Sequence, residues 1–332
     1  MDKNIISFPG LGIDRIEISP IAFRIPLANG GSWPVAWYGI IITTGFILAF
    51  LYAYYRAKKE RFNTDHLVDY LLYGMIFGVI GARCYYVLTK LDTFVVKGDL
   101  GKTLYNIVAV WGGGLAIYGG IIAGALTVLV LSRIKKQSFL QVADLVIPGV
   151  ALAQSIGRWG NFINAEAHGG VTELPWRMGV KTPQMLEMLY VHPTFLYESL
   201  WNLSGFLILH FLVLPRRRYF GQVFLSYVAW YGFGRMLIEG LRTDSLYIPG
   251  TQIRISQLVA LLSCLVAVCL LIYFFVRGRR STELDTICAQ AEQVIAHKES
   301  NAIEQGTATA AEDGADDVSC DKDKQEEHHE DH

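Results

Sequence analysis

The side chains best placed to do chemistry fall into two short constellations. In Gly157-Arg158-Trp159-Gly160-Asn161-Phe162-Ile163-Asn164-Ala165-Glu166, Arg158 and Asn161 stand three residues apart and share one side of a helix. A guanidinium fork beside an amide can clamp phosphate or other polar headgroup oxygens, and Glu166 can orient the arginine. Gly157 and Gly160 permit close backbone approach. The second constellation is Arg235, Glu239 and Arg242, at offsets of four and three, which can also share a face. There Glu239 can neutralise or aim one arginine while the other meets an anionic substrate. Both arrays have a plainer reading as salt-bridge networks between helices, and residue chemistry alone leaves the two readings open.

A third stretch, Trp111 to Gly120 followed by Gly124, is dense in glycine. Such density weakens a regular helix and allows either tight packing or a broken, partly re-entrant path around a cavity. It lacks the Lys-Ser/Thr ending and glycine spacing of a phosphate-binding loop. Tyr118 within it, with a reference pKa of about 10, is better suited to positioning or relaying a proton than to acting as a free base. Tyr38, in Trp37-Tyr38-Gly39, is expected at the outer interface. Asp144 is expected to stabilise a helix contact, and His192 either to titrate or to make a structural hydrogen bond.

These side chains must be carried by elements that belong in a membrane. Of 332 residues, 52% are hydrophobic and only 18% charged, with mean hydropathy +0.32; a soluble domain is nearer 25% charged. The apolar residues form seven blocks long enough to cross about 30 Å of hydrocarbon: Val35–Tyr55, Leu67–Thr89, Ile107–Leu131, Leu140–Phe162, Thr194–Leu214, Gly221–Leu241 and Ile255–Val276. An arrangement of soluble domains is excluded.

Basic clusters follow the first span (Arg56, Lys58, Lys59, Arg61), the third (Arg133, Lys135, Lys136), the fifth (Arg216 to Arg218) and the seventh (Arg277, Arg279, Arg280). All lie on one side of an alternating seven-span model, which the positive-inside rule makes cytoplasmic, so the N-terminus is expected outside. Residues 281–332 hold 3 of the 29 basic and 15 of the 30 acidic residues, and are expected to form a disordered, acidic cytoplasmic tail. The near-neutral total therefore hides a basic body, residues 1–280. Residues 163–193, rich in glycine, proline and aromatics, are expected to form a small extracytoplasmic cap. The five cysteines are spaced for neither a disulfide framework nor zinc, and no metal, soluble cofactor or nucleic-acid partner is indicated.

The run from Gly157 to Gly169 resembles the signature of bacterial prolipoprotein diacylglyceryl transferases. The resemblance extends through Trp37-Tyr38-Gly39, Trp111 to Gly120, Asp144 to Pro148, His192 to Glu198 and Gly234 to Arg242, covering roughly residues 20–277. It implies an all-α, seven-span enzyme of the bacterial inner membrane, with its site open to the outer leaflet. The implied reaction moves diacylglyceryl from phosphatidylglycerol to the lipobox cysteine thiol of a preprolipoprotein, leaving a thioether and glycerol phosphate. Arg158 and Asn161 match phosphate-proximal residues, with Glu166 as orienting carboxylate. Arg235 and Glu239 match an essential charged pair, with Arg242 assisting. Tyr38 matches a tyrosine near the headgroup, and Gly169 the functional glycine that ends the signature. Where many members carry a histidine before Gly-Gly, this chain has Tyr118, so a histidine base is not implied, and a tyrosine relay, a carboxylate acceptor or mainly electrostatic catalysis stay open. A transporter of an anionic lipid or metabolite is the alternative that shares these features, and an inactive scaffold a third.

Overall fold

Long apolar runs fold as helices because a helix satisfies each backbone N–H and C=O internally, a condition that hydrocarbon imposes strictly. The computed structural model describes residues 3–27, 30–96, 98–110, 113–243, 245, 247–248 and 250–278. The expectations for Trp111, Gly112, Arg279, Arg280 and the acidic tail lie outside these residues. Among the described residues the helices are α1 Trp37–Lys59, α2 Thr64–Thr89, α3 Leu91–Phe94, α4 Leu100–Val108, α5 Ile117–Ile134, α6 Phe139–Asn164, α7 Thr194–Ile208, α8 Gln222–Glu239 and α9 Ile255–Val276. A π-helical turn, Leu209–Val213, extends α7.

The protein is a mostly helical, polytopic membrane protein. Among the described residues, six helices are long and apolar enough to cross a membrane: α1, α2, α5, α6, α7 with its π turn, and α9. The expected sixth span is helical as α8, but Arg235 and Glu239 lower its hydropathy, so the count of seven is not reached on apolarity alone. The expected third span also shifts. Its helix starts at Ile117 instead of Ile107, because Gly113 and Gly114 take φ of +85° and +76°, which a right-handed helix cannot include.

The chain divides into two compact units. In Phe50–Leu145, α2 and α5 pack through small residues, with Gly81 against Ala123 and Gly119, and Gly78 against Gly120. Close packing thus accounts for the glycines that follow Tyr118. The preceding pair answers to Arg83, a buried cation on α2. Its Nε donates to Ile107 O at 2.8 Å, Nη2 to Asn106 O at 2.7 Å, and Nη1 to Gly113 O and Gly114 O at 2.7 and 2.9 Å. Arg83 therefore ties the C-terminal carbonyls of α4 to the turn that starts α5. A Cβ on Gly114 would stand 2.7 Å from the Arg83 Nη1.

The other unit comprises Met1–Ala49 and Val146–His332. It carries strands that an all-α expectation omits: β1 Asn4–Phe8, β2 Ile13–Ile18, β3 Ile21–Pro26, β4 Ser32–Ala36, β5 Met178–Lys181 and β6 Leu189–Val191. One antiparallel sheet has the order β2-β1-β5-β6, with Ile5 opposite Lys181 and Ser7 opposite Gly179. The segment expected to form a cap is thus completed by the N-terminus. Its core, Ile6, Ala165, Met178, Val180, Val191 and Phe195, joins the sheet to the end of α6 and the start of α7. Phe162 and Phe195 pack across that junction with tilted rings, centroids 4.7 Å apart.

Glycines also set α1 against α6. A Cβ on Gly149 would lie 2.8 Å from Ala49 O, and Gly45 faces Ala153. Between α7 and α8, Trp201 and Trp230 stack at 4.4 Å, and each indole N–H donates to the other residue's carbonyl, at 3.0 and 2.9 Å. Gly205 makes room for Trp230, and Gly234 for Trp201. Ser155 and Ser199 exchange hydroxyl-to-carbonyl bonds at 2.8 and 2.9 Å between α6 and α7. Together these contacts fix the three helices that carry Arg158, Glu198 and Arg235.

Candidate active site

Glu198 lies in the second turn of α7 with a buried side chain, and three guanidinium groups converge on it. Arg158 Nη2 from α6 pairs with Oε2, Arg235 Nη1 from α8 stands 3.0 Å from the same oxygen, and Arg242 Nη1 reaches Oε1 at 2.9 Å. Arg235 Nη2 also meets Glu239 Oε2 at 2.6 Å, the expected pairing one turn apart. Arg242, just past the end of α8, turns to Glu198 instead of Glu239. Glu239 in turn accepts from Ser256 Oγ through Oε1, and its carbonyl accepts from Arg254. One ionic network therefore joins the two constellations.

Its charge distribution is asymmetric. Three guanidinium groups face two carboxylates, which leaves one excess positive charge. The side chains of Glu198 and Glu239 are 4% and 2% exposed, while those of Arg158 and Arg235 are 22% and 17% exposed. Cationic hydrogen-bond donors thus form the accessible face, with the neutralising carboxylates behind them. Such a surface can hold a phosphate and strengthen its grip as negative charge accumulates.

The signature loop extends the network. Arg158 Nη1 donates to Asn161 Oδ1 at 3.3 Å, and Asn161 Nδ2 donates to Glu166 Oε1 at 3.1 Å. Glu166 therefore orients the arginine through Asn161, and also holds Asn164 at 3.2 Å. Ala165 and Ala167 flank it with φ of +53° and +54°, a strained conformation for alanine. Thr194 Oγ1, donating to Ala167 O at 2.9 Å, is one restraint on that loop.

Gly169 acts through packing. Its N–H donates to His192 O at 3.1 Å, it forms a bridge with Arg242, and a Cβ there would lie 2.7 Å from His192 Cβ. His192 thus contributes backbone bonds at this position. Tyr38 lays its ring over Gly160, where a Cβ would approach within 2.7 Å. The tyrosine accordingly sits two residues along α6 from Arg158. Tyr118 belongs to the Phe50–Leu145 unit, in the first turn of α5, and Asp144, in the same unit, is fully buried.

Sequence reasoning named Glu198 only as the end of the His192–Glu198 run, without a role, and passed over Arg254 and Ser256. Glu198 carried a signal, as an acidic residue inside an apolar span. Its three partners lie 37 to 44 residues away and could not be paired with it by helical spacing.

The sequence profile of the prolipoprotein diacylglyceryl transferase family matches residues 20–273. A Listeria welshimeri protein named phosphatidylglycerol-prolipoprotein diacylglyceryl transferase is 42% identical over 271 residues, covering 80% of this chain and 92% of its own. Proteins of the same name from Lysinibacillus sphaericus and Staphylococcus aureus are 41% and 38% identical, covering 78% and 79% of this chain and 93% and 91% of their own. The match spans both the signature and the α7 and α8 residues that complete the ionic network, and the chain belongs to the prolipoprotein diacylglyceryl transferase family.

Proposed function

We propose that this chain transfers the diacylglyceryl group of phosphatidylglycerol to the lipobox cysteine thiol of a preprolipoprotein. The observation that carries this reading is the cationic face of Arg158 and Arg235 over the buried carboxylates of Glu198 and Glu239. The substrate sulfur attacks the glycerol carbon bearing the phosphate ester, forming a C–S bond as the C–O bond breaks. A singly charged phosphodiester becomes glycerol phosphate with a second negative charge. That added charge develops where Arg158 and Arg235 donate, so their stabilisation is greater in the transition state than in the bound lipid. Asn161 and Glu166 hold Arg158 in register, Arg242 shares the burden on Glu198, and Tyr38 borders the headgroup. Gly169 maintains the close approach of the signature loop.

The thiol proton must leave as sulfur attacks, since the thiolate is the nucleophile. Tyr118, where many relatives carry a histidine, is one candidate to relay it, beside a carboxylate acceptor or mainly electrostatic catalysis. The acceptor cysteine belongs to the substrate, so no enzyme thiol is required. Residues 1–280 form the transferase body in the bacterial inner membrane, and residues 281–332 a cytoplasmic tail. Basic residues at the C-terminal ends of α1, α5 and α9 and after the α7 extension support a cytoplasmic location for those ends and an outside N-terminus. In proteoliposomes, Arg158→Ala and Arg235→Ala should insert normally and strongly reduce modification of a lipobox peptide. Normal rates in both variants would overturn their assignment.

A further inference from the structure

The hairpin formed by β3 and β4 separates two faces cleanly. Its register pairs Phe23 with Val35, Arg24 with Pro34, Ile25 with Trp33 and Pro26 with Ser32. Opposed residues in an antiparallel pair project to the same side, and successive residues alternate. One face therefore carries Phe23, Ile25, Trp33 and Val35, continued by Leu27, while the other carries Arg24, Pro26, Ser32 and Pro34. Phe23, Ile25, Leu27 and Trp33 are all exposed, Trp33 by 65%. A two-stranded hairpin with an uncovered apolar face is at best marginally stable in water.

We propose that this face lies in the membrane interface, as an anchor that meets the lipid headgroup and upper acyl region. Its position favours that partner over protein. Ala36 ends β4 and Trp37 begins the membrane-crossing helix α1, with no linker, and Trp37 N–H donates to Pro20 O at 3.0 Å to close the hairpin against the helix start. The hairpin is therefore tied to the end of a span, where tryptophan is enriched and an apolar surface has lipid to cover it.

Its edges argue against strand addition by a peptide or a second copy. Leu27 N–H donates to Gly31 O at 2.8 Å, so alternation puts Ile25/Trp33 and Phe23/Val35 in the hydrogen-bonded pairs. Arg24/Pro34 and Pro26/Ser32 fall between them, where N–H groups point outward. Pro34 removes an outward donor from β4 and Pro26 one from β3, which blunts both edges. The consequence for the site is positional, because the anchor sets the depth of α1 at Tyr38, whose ring covers Gly160.

The test uses the full chain, with its five cysteines replaced by serine, in nanodiscs of phosphatidylglycerol and phosphatidylcholine. Single variants Arg24→Cys, Ile25→Cys, Ser32→Cys and Trp33→Cys are spin-labelled, and collision rates with oxygen and with a water-soluble nickel complex are compared. The expected result alternates: labels at 25 and 33 favour oxygen several-fold, and those at 24 and 32 favour nickel. Labels at 25 and 33 that favour nickel as strongly as those at 24 and 32 would overturn the proposal. So would labels at 25 and 33 shielded from both reagents, or lipid-like values that appear only with a lipobox peptide or at dimer-forming concentrations. A brominated-lipid series, reading quenching of a bimane at 25 in place of the spin label, supplies a second measurement in case one label perturbs the hairpin. Absence of quenching there would equally count against it.

Discussion

Replacing Glu198 by glutamine keeps its size and removes the charge that three arginines share. Two of those contacts stand at 2.9 and 3.0 Å. At such distances and an effective dielectric of about 20, each attraction is about 5–6 kcal/mol before desolvation is counted. Desolvation and arginine–arginine repulsion offset much of it, and removing one partner of a buried pair costs about 3–5 kcal/mol in practice. Glu239, paired with Arg235, would then be the one carboxylate of this network against three guanidinium groups, which should splay or take up counterions. Loss of donor alignment comparable to removal of one oxyanion contact predicts a fall in transfer rate of roughly 100- to 1000-fold. The assay pairs initial rates in phosphatidylglycerol proteoliposomes with thermal unfolding of the same preparations. A Glu198→Gln protein with unchanged rate and unchanged Tm would refute the network as described. A lower Tm with an unchanged rate would leave Glu198 a structural role only.

Gly169→Ala should lower stability by about 1–3 kcal/mol, read as a reduced Tm, because overpacking is costly where the new methyl meets His192 and Leu241. Arg83→Met should speed hydrogen exchange at residues 106–118, since its donors to the four carbonyls are lost; unchanged exchange would show that the turn holds without it. Tyr118→Phe should slow transfer most at low pH, where little thiolate forms unaided, and unchanged kinetics across pH would argue against the relay. Glu166→Gln should cost less activity than Arg158→Ala, because Glu166 acts on the arginine through Asn161; an equal or greater loss would contradict that order.

Much of the helical frame was legible because hydrocarbon demands long apolar segments, and α1, α2, α6, α7 and α9 fall close to where hydropathy places them. The departures have physical causes. Ile107–Leu131 reads as continuously apolar, but left-handed Gly113 and Gly114, held by Arg83, delay the helix to Ile117. The β2-β1-β5-β6 sheet pairs Ile5 with Lys181, a separation that no local pattern encodes. In the site, spacing within one helix correctly grouped Arg158 with Asn161 and Arg235 with Glu239. It could not reveal Glu198, which acts by meeting side chains from two other elements. Glycine density was legible as close packing, whereas the fit of Tyr38 over Gly160 emerged only once α1 met α6.

The most direct test of the central claim is intact-mass analysis of a lipobox peptide incubated with the purified protein and phosphatidylglycerol. Transfer gives a mass gain equal to one diacylglyceryl group on the peptide cysteine, absent when that cysteine is serine or the lipid is omitted, with glycerol phosphate released in equal amount. Phosphatidylglycerol uptake or movement with an unmodified peptide would contradict it and favour a transporter.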